Sequence, residues 1–375
     1  MSEREKWAKN KRANAERKQG SDMTNKRLKL ERIDIVLPIH DDRELRLNAL
    51  EILRTIKPQW HPETITFKDF TVGITNRIFA AFAEEQAQKS GDPTLKVIFR
   101  VFGHNTEKII DREKELRNWM LLSDAKLAAP LLATFNNGIV CGYLEGESLD
   151  VDSVRNPKIV RKICVAIARM HKIHESEECE TVYSLRSNKF LENIPDKFDD
   201  PVKQSRFEEY FSSLHLREEF DSLLERIKAQ NNAIVFCHND LLVYNILYDA
   251  ATDHLHFIDY EYAGANYQLF DIANHFNEYA GVDDTDYSKL PSVEEKRDFL
   301  TTYLQELEGR DVNSDEVDEL LKILPLFESA SHHFWALWSL VQAHNSTIDF
   351  DYIGYAILRH KMSRKTLEEA SATDK

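Results

Sequence analysis

A chain of 375 residues, 42% hydrophobic and with a formal net charge of −15, has material for one large core or two lobes, and lacks the excess of cations that nucleic-acid binding requires. Its four cysteines, Cys141, Cys164, Cys179 and Cys237, are far apart with no CxxC pair, which fits a reduced intracellular protein better than a disulfide or zinc framework. No apolar run approaches the roughly 20 residues of a bilayer span and the charged N-terminus has no apolar signal core, so stable membrane insertion is not expected and a soluble, cytoplasmic protein is.

Residues 1–30 are rich in Lys, Arg, Asn and Glu and cannot bury enough surface to offset their ordering entropy, so a disordered basic tail is expected. Residues 33–39, interrupted by Pro38, read as extended, and 42–56 as a helix with Leu45, Leu47, Leu50, Ile52 and Leu53 on its apolar side. Strands are expected at 64–70 and 77–84. The turn between them holds Gly73, Thr75 and Asn76, whose backbone and side chains could cradle a phosphate; G-x-G-x-x-G is absent, and an ordinary hairpin fits the same residues. The strand 96–102, KVIFRVF, carries Arg100 at its centre and Lys96 on the same face, and the helix 111–122 carries Glu113 and Glu115. Asn136-Asn137-Gly138 marks a hairpin between 131–135 and 139–144, and 145–147 reads as a connection.

Asn156 and Pro157 have the chemistry of a cap and first helical residue, opening a helix to about 174 with Cys164, Ile167, Ala168 and His171 on its buried side. His171 has no paired ligand in the sequence and reads as a hydrogen-bonded core residue. Residues 188–230 are charged and largely helical, broken near Pro195 and Pro201. An apolar strand at 233–237 then runs into His238-Asn239-Asp240 and a loop closing on Asn245, and a second strand at 255–258 delivers Asp259 and Glu261. Residues 263–267 read as loop and 270–279 as a helix in which Asp271 caps the first turn or orients the preceding loop, with Asn274, His275 and Glu278 beyond it. Helices follow at 294–308, at 314–344 with a break at Pro325, and at 351–369. Phe334, Trp335, Trp338 and Tyr355 lie on the last two, where aromatics at helical spacing ordinarily belong to the core.

Two acidic loops at strand ends suit phosphoryl transfer. The negative charge of that transition state needs a cation held by oxygen ligands, for which Asn245, Asp259 and Glu261 qualify. A separate carboxylate must receive or orient the acceptor's proton, and Asp240 precedes Asn245 by five residues, as in H-R-D-x-x-x-x-N. Singly, each motif is an ordinary turn; paired at successive strand ends they read as a catalytic loop and a metal loop.

The run IDYEYAGANYQLFDIANHFNE resembles the choline/ethanolamine kinase family, and most closely its ethanolamine kinases, over about 65–360. The resemblance implies an α+β, two-lobed protein-kinase-like fold. It would comprise an N-terminal nucleotide-binding lobe over 31–145, an antiparallel sheet plus a helix, and a mainly helical catalytic and substrate-binding lobe over 146–375. It implies transfer of the ATP γ-phosphate to ethanolamine with Mg²⁺ as cofactor, a small amino alcohol as partner, and an open oligomeric state. TVGITN matches the family's phosphate loop, bringing in Gly73, Thr75 and Asn76. Arg100 is preferred over Lys96 for the phosphates, with Glu115, or Glu113 as runner-up, as its ion-pair partner. FWALWSL matches the amine-binding stretch, so Trp335, Trp338 and Tyr355 are expected around the ammonium, with Glu278 and Asp283 as acceptors. Choline-type members carry aromatics beyond NHFNE where this chain has YAGVDD, which favours the smaller head group. Choline kinase, and a pseudokinase that binds nucleotide without turnover, remain the alternatives.

Overall fold

The computed structural model describes residues 30–72, 76–83, 95–102, 112–173, 180–282, 284–346 and 349–373. Two units divide the chain: Met1–His104 with Leu131–Tyr143, and Asn105–Pro130 with Leu144–Lys375.

Alternating apolar residues build a six-stranded sheet in the first unit. Its strands are β1 (Glu31–Ile33), β2 (Ile65–Val72), β3 (Asn76–Ala83), β4 (Lys96–Phe102), β5 (Leu131–Phe135) and β6 (Gly138–Gly142), in the order β1-β5-β6-β4-β3-β2. All pairings are antiparallel except β1 with β5. Phe79 and Phe99 stack at 4.9 Å on the sheet's inner face, where α1 (Asp42–Ile56) lays Leu45, Ala49, Ile52 and Leu53 against them. The buried Arg77 pins α1 down by pairing with Asp42 (2.6 Å) and Asp69 (2.9 Å). The β5–β6 turn needs Gly138, since a Cβ there would lie 2.3 Å from the Arg100 carbonyl oxygen.

The second unit is helical around two small sheets. Its helices are α2 (Arg112–Asp124), α3 (Pro157–His171), α4 (Val182–Asn193), α5 (Pro201–Phe211), α6 (Leu216–Lys228), α7 (Gln268–Asn277), α8 (Val293–Glu308), α9 (Ser314–Asn345) and α10 (Tyr352–Thr373). Asn156 caps α3 by accepting from Lys158 N at 3.0 Å, with Pro157 in the first turn. The strands are β7 (Glu147–Ser148), β8 (Ile234–Cys237), β9 (Ile246–Asp249), β10 (His254–Phe257) and β11 (Gly264–Tyr267), in the sheets β10-β9-β7 and β11-β8. Every residue of α7 is buried, and α9 and α10 pack along each other.

Three local expectations fail for reasons of tertiary context. Residues 263–267 were expected as loop, yet β11 pairs in register with β8, Gly264 opposite Cys237 through Tyr267 opposite Ile234, because the partner strand supplies its hydrogen bonds. No break occurs at Pro325; α9 runs through it. The helix expected to reach 174 ends at His171.

Candidate active site

Strand β8 runs into His238, Asn239 and Asp240, a loop gripped by Asp271 of α7. Asp271 accepts the backbone N–H groups of His238 (2.9 Å) and Asn239 (2.7 Å), and its third partner is His171 Nε2 at 3.1 Å. Of the two roles open to Asp271, orienting the loop is the one it fills, and α7 has no side-chain cap. Gln268 Nε2 donates to Tyr303 Oη, so the phenol donates to His171 Nδ1 and His171 Nε2–H donates to Asp271. Burial pushes the Asp271 carboxyl upward, but the His171 hydrogen bond, the electrostatic influence of His171 and His238 and the backbone donor hold it below the ordinary carboxylate value. His171, Cys237 and Asp271 lie close enough together for a metal ion. Both nitrogens of His171 and both oxygens of Asp271 are already hydrogen-bonded, which makes the cluster structural. Asn239 takes a left-handed φ of 67°, held by its Nδ2–H to Tyr262 O (2.9 Å) and by Asn266 Nδ2–H to its Oδ1 (2.7 Å).

These grips place Asp240 and Asn245 together. Asn245, ending the short Val243–Asn245 turn, donates through Nδ2 to Asp240 O (2.8 Å) and toward Asp240 Oδ2 (3.4 Å), which turns its side-chain Oδ1 to the role of cation ligand. Ile258 N donates to Asn245 O at 2.9 Å and His238 Nε2 donates to Ile258 O at 3.0 Å, which ties the first loop to the loop carrying Asp259 and Glu261. Asp259 also has a left-handed φ, 64°. Asp240 is buried, and burial, then the charges of Asp259, Glu261 and Glu278, raise its carboxyl well above the usual range, opposed only by the Asn245 hydrogen bond. Three further carboxylates therefore lie within electrostatic reach of Asp240. Asn245, Asp259 and Glu261 form a hard oxygen donor set, and a divalent cation would relieve their repulsion, so the residues fit Mg²⁺.

A second cluster forms where α9 and α10 meet the end of α7. Trp335 donates its indole N–H to Asn274 Oδ1 (2.7 Å) and stands edge-on to Tyr262 (5.4 Å) and Trp338 (5.5 Å). Glu278 and Tyr355 Oη both accept from Arg359, at 2.8 and 3.0 Å. Indole and phenol faces beside a carboxylate are the ordinary equipment for holding an organic cation.

A family model described as choline/ethanolamine kinase matches residues 67–364. The chain belongs to the choline/ethanolamine kinase family. It is 38% identical over 343 residues to ethanolamine kinase 2 of Homo sapiens, covering 89% of this chain and 84% of that one. Against ethanolamine kinase 1 of Mus musculus it is 37% identical over 349 residues, covering 91% and 94%. Among solved structures it matches an ethanolamine kinase of Plasmodium vivax with a TM-score of 0.72 at 25% identity, over 87% of this chain and 91% of that one. Solved aminoglycoside phosphotransferases share the fold alone, so the two-lobed protein-kinase-like architecture read from the sequence holds.

Within this kinase-family chain, Asn245 is bonded to Asp240, Asp259 and Glu261 lie within electrostatic reach of Asp240, Trp335 touches Trp338, and Glu278 and Tyr355 share Arg359. Arg100 lies buried at the centre of β4, opposite Ile78 of β3 and Ile139 of β6, in the first unit. Its alternative Lys96 lies over the Tyr143 ring at 5.3 Å. Glu115, buried on α2 in the second unit, accepts from Arg112 at 2.6 Å. Gly73, Thr75, Asp283 and Cys179 lie outside the described residues, as do residues 1–29. Asn76 opens β3, and only its backbone is described. Sequence reasoning missed Tyr262 and Arg359. A lone arginine four residues after Tyr355, within YAILRH, was the available signal for the latter.

Proposed function

We propose that the protein transfers the γ-phosphoryl group of ATP to the hydroxyl oxygen of ethanolamine, giving phosphoethanolamine, which feeds phosphatidylethanolamine synthesis, and ADP. The observation that carries the reading is Asp240: a buried carboxyl raised well above its ordinary value, joined to Asn245 and set among three further carboxylates. A raised carboxyl is a more capable base near neutral pH. Asp240 accepts the hydroxyl proton as the new O–P bond forms and the bond to the ADP oxygen breaks. Asn245, Asp259 and Glu261 would hold Mg²⁺, which when bound neutralises charge on the phosphoryl oxygens. Arg100 and Glu115, with Gly73, Thr75 and Asn76, are assigned to nucleotide phosphate binding on the family resemblance of their segments alone.

Trp335, Trp338 and Tyr355 supply aromatic faces for the ammonium, each worth about 0.5–2 kcal/mol, and Glu278 supplies an acceptor. The names of the relatives support ethanolamine over choline. Cys141, Cys164 and Cys237, buried and in no disulfide, support a reducing, cytoplasmic setting. ADP release measured with ethanolamine, with choline and without acceptor tests the proposal. Expected is a kcat/KM for ethanolamine at least about tenfold above that for choline, some 1.4 kcal/mol. Equal values or a choline preference would overturn the ethanolamine assignment and leave the kinase reading intact, and no ADP release with either amine would leave a binding scaffold.

A further inference from the structure

The pairing of α9 with α10 buries a cation that the phosphoryl chemistry does not use. Arg359 is 2% exposed. One guanidinium nitrogen donates to Glu278 Oε1 (2.8 Å) and Tyr355 Oη (3.0 Å), and the other reaches Ser331 Oγ at 3.4 Å. Ser331 donates to Asn274 Oδ1 (2.8 Å), the atom that also accepts from Trp335 Nε1. A single side chain thus links the carboxylate, the phenol and the indole of the amine cluster, drawn from three segments of the chain.

Stability alone does not explain the arrangement, because well-packed apolar residues replace a buried ion pair at no loss or with a gain. What the pair does is fix direction. With Oε1 held by Arg359, Glu278 Oε2 is buried and has no hydrogen-bond partner among the described residues. Tyr287, within electrostatic reach of both Glu278 and Arg359, likewise has a buried hydroxyl without a partner. A buried carboxylate oxygen in this condition is unfavourable until a donor arrives.

We propose that Arg359 is the positioning residue that sets amine specificity, holding Glu278 so that Oε2 accepts an N–H of a primary ammonium while Tyr355 and Trp335 are locked around the same cation. The proposal rests on reading the site as an amino-alcohol kinase. A trimethylammonium group carries no N–H and would leave Oε2 unpaired, the situation in which a hydrogen-bonding site discriminates most strongly.

Steady-state kinetics on the full chain, varying each substrate, test this. Arg359→Met should raise KM for ethanolamine about tenfold or more, leave KM for ATP unchanged and shift the ethanolamine-to-choline preference toward one. Arg359→Lys, which restores the charge and one donor, should recover part of the loss. If Arg359→Met does not fold, Tyr355→Phe and Ser331→Ala decide, each expected to raise the ethanolamine KM by about threefold without touching that of ATP. Folded variants with unchanged ethanolamine KM and unchanged preference would overturn the proposal. So would a parallel collapse of both substrates' parameters and of thermal stability in Arg359→Met and Arg359→Lys alike. A parent enzyme that ignores ethanolamine would sink the functional reading itself, whereas an active parent with indifferent variants sinks only the role of Arg359.

Discussion

Asp240 meets opposing demands, since the burial and neighbouring acids that raise its carboxyl also make its charged form costly to hold in the fold. The sign follows from linkage: a carboxyl raised on folding stabilises the native state below its unfolded value of about 3.9, and that contribution is lost as pH rises through the raised folded value. Without divalent cation, Asp240→Asn should therefore melt higher than the parent at pH 8, by about 2–4 °C per kcal/mol relieved, and the gap should narrow at pH 5. Turnover of the same variant should fall by about 10² to 10⁴, the range for loss of a general base. Melting scans in a chelator at the two pH values, beside a turnover assay, check both parts. Equal melting temperatures at pH 8 would show that the charge is not strained, and near-parent turnover would show that Asp240 is not the base.

At the scale of elements, local signals succeeded where a residue's own chemistry dictates its conformation and failed where a distant partner does. The Asn156–Pro157 helix start, the Asn136–Gly138 hairpin and the strand KVIFRVF were legible in this way. The pairing of β11, the hold of Asp271 on the His238–Asp240 loop and the bond from Arg359 to Glu278 depend on partners far away in sequence, 29 positions apart for Cys237 and Asn266 and 81 for Glu278 and Arg359, and no local pattern encodes them. Pro325 is the instructive failure. Its ring removes the bond to the Leu321 carbonyl and costs about 3 kcal/mol in a helix interior. Leu324, Leu326 and Phe327 beside it are buried, at about 1.5–3 kcal/mol each, so packing outweighs the break. Pro325→Ala should accordingly stabilise the protein by about 1–2 kcal/mol, the restored bond being partly offset by a looser unfolded chain. Denaturant unfolding measures it, and a destabilised variant would mean that α9 needs the local geometry proline imposes.

For the whole molecule, charge is the property read most directly from the sequence, 49 basic against 64 acidic residues for a net of −15. A field of that sign raises the local concentration of a small cation and opposes an anionic nucleotide. The screening length falls from about 30 Å at 0.01 M salt to about 3 Å at 1 M, so the long-range part of this attraction can be titrated away while the buried contacts proposed for Glu278, Trp335 and Tyr355 would persist. Raising salt should therefore lower kcat/KM for ethanolamine, with the corresponding constant for ATP rising or staying level. Choline carries the same unit charge, so its kcat/KM should fall by the same factor and the ratio between the two amines should stay constant. Pocket variants such as Arg359→Met should do the reverse, changing the ratio and leaving the salt slope as it was. A salt series on parent and variant with both amines separates the two effects. A ratio that moved with salt would mean that exposed charges, and not the buried carboxylate, discriminate between the head groups.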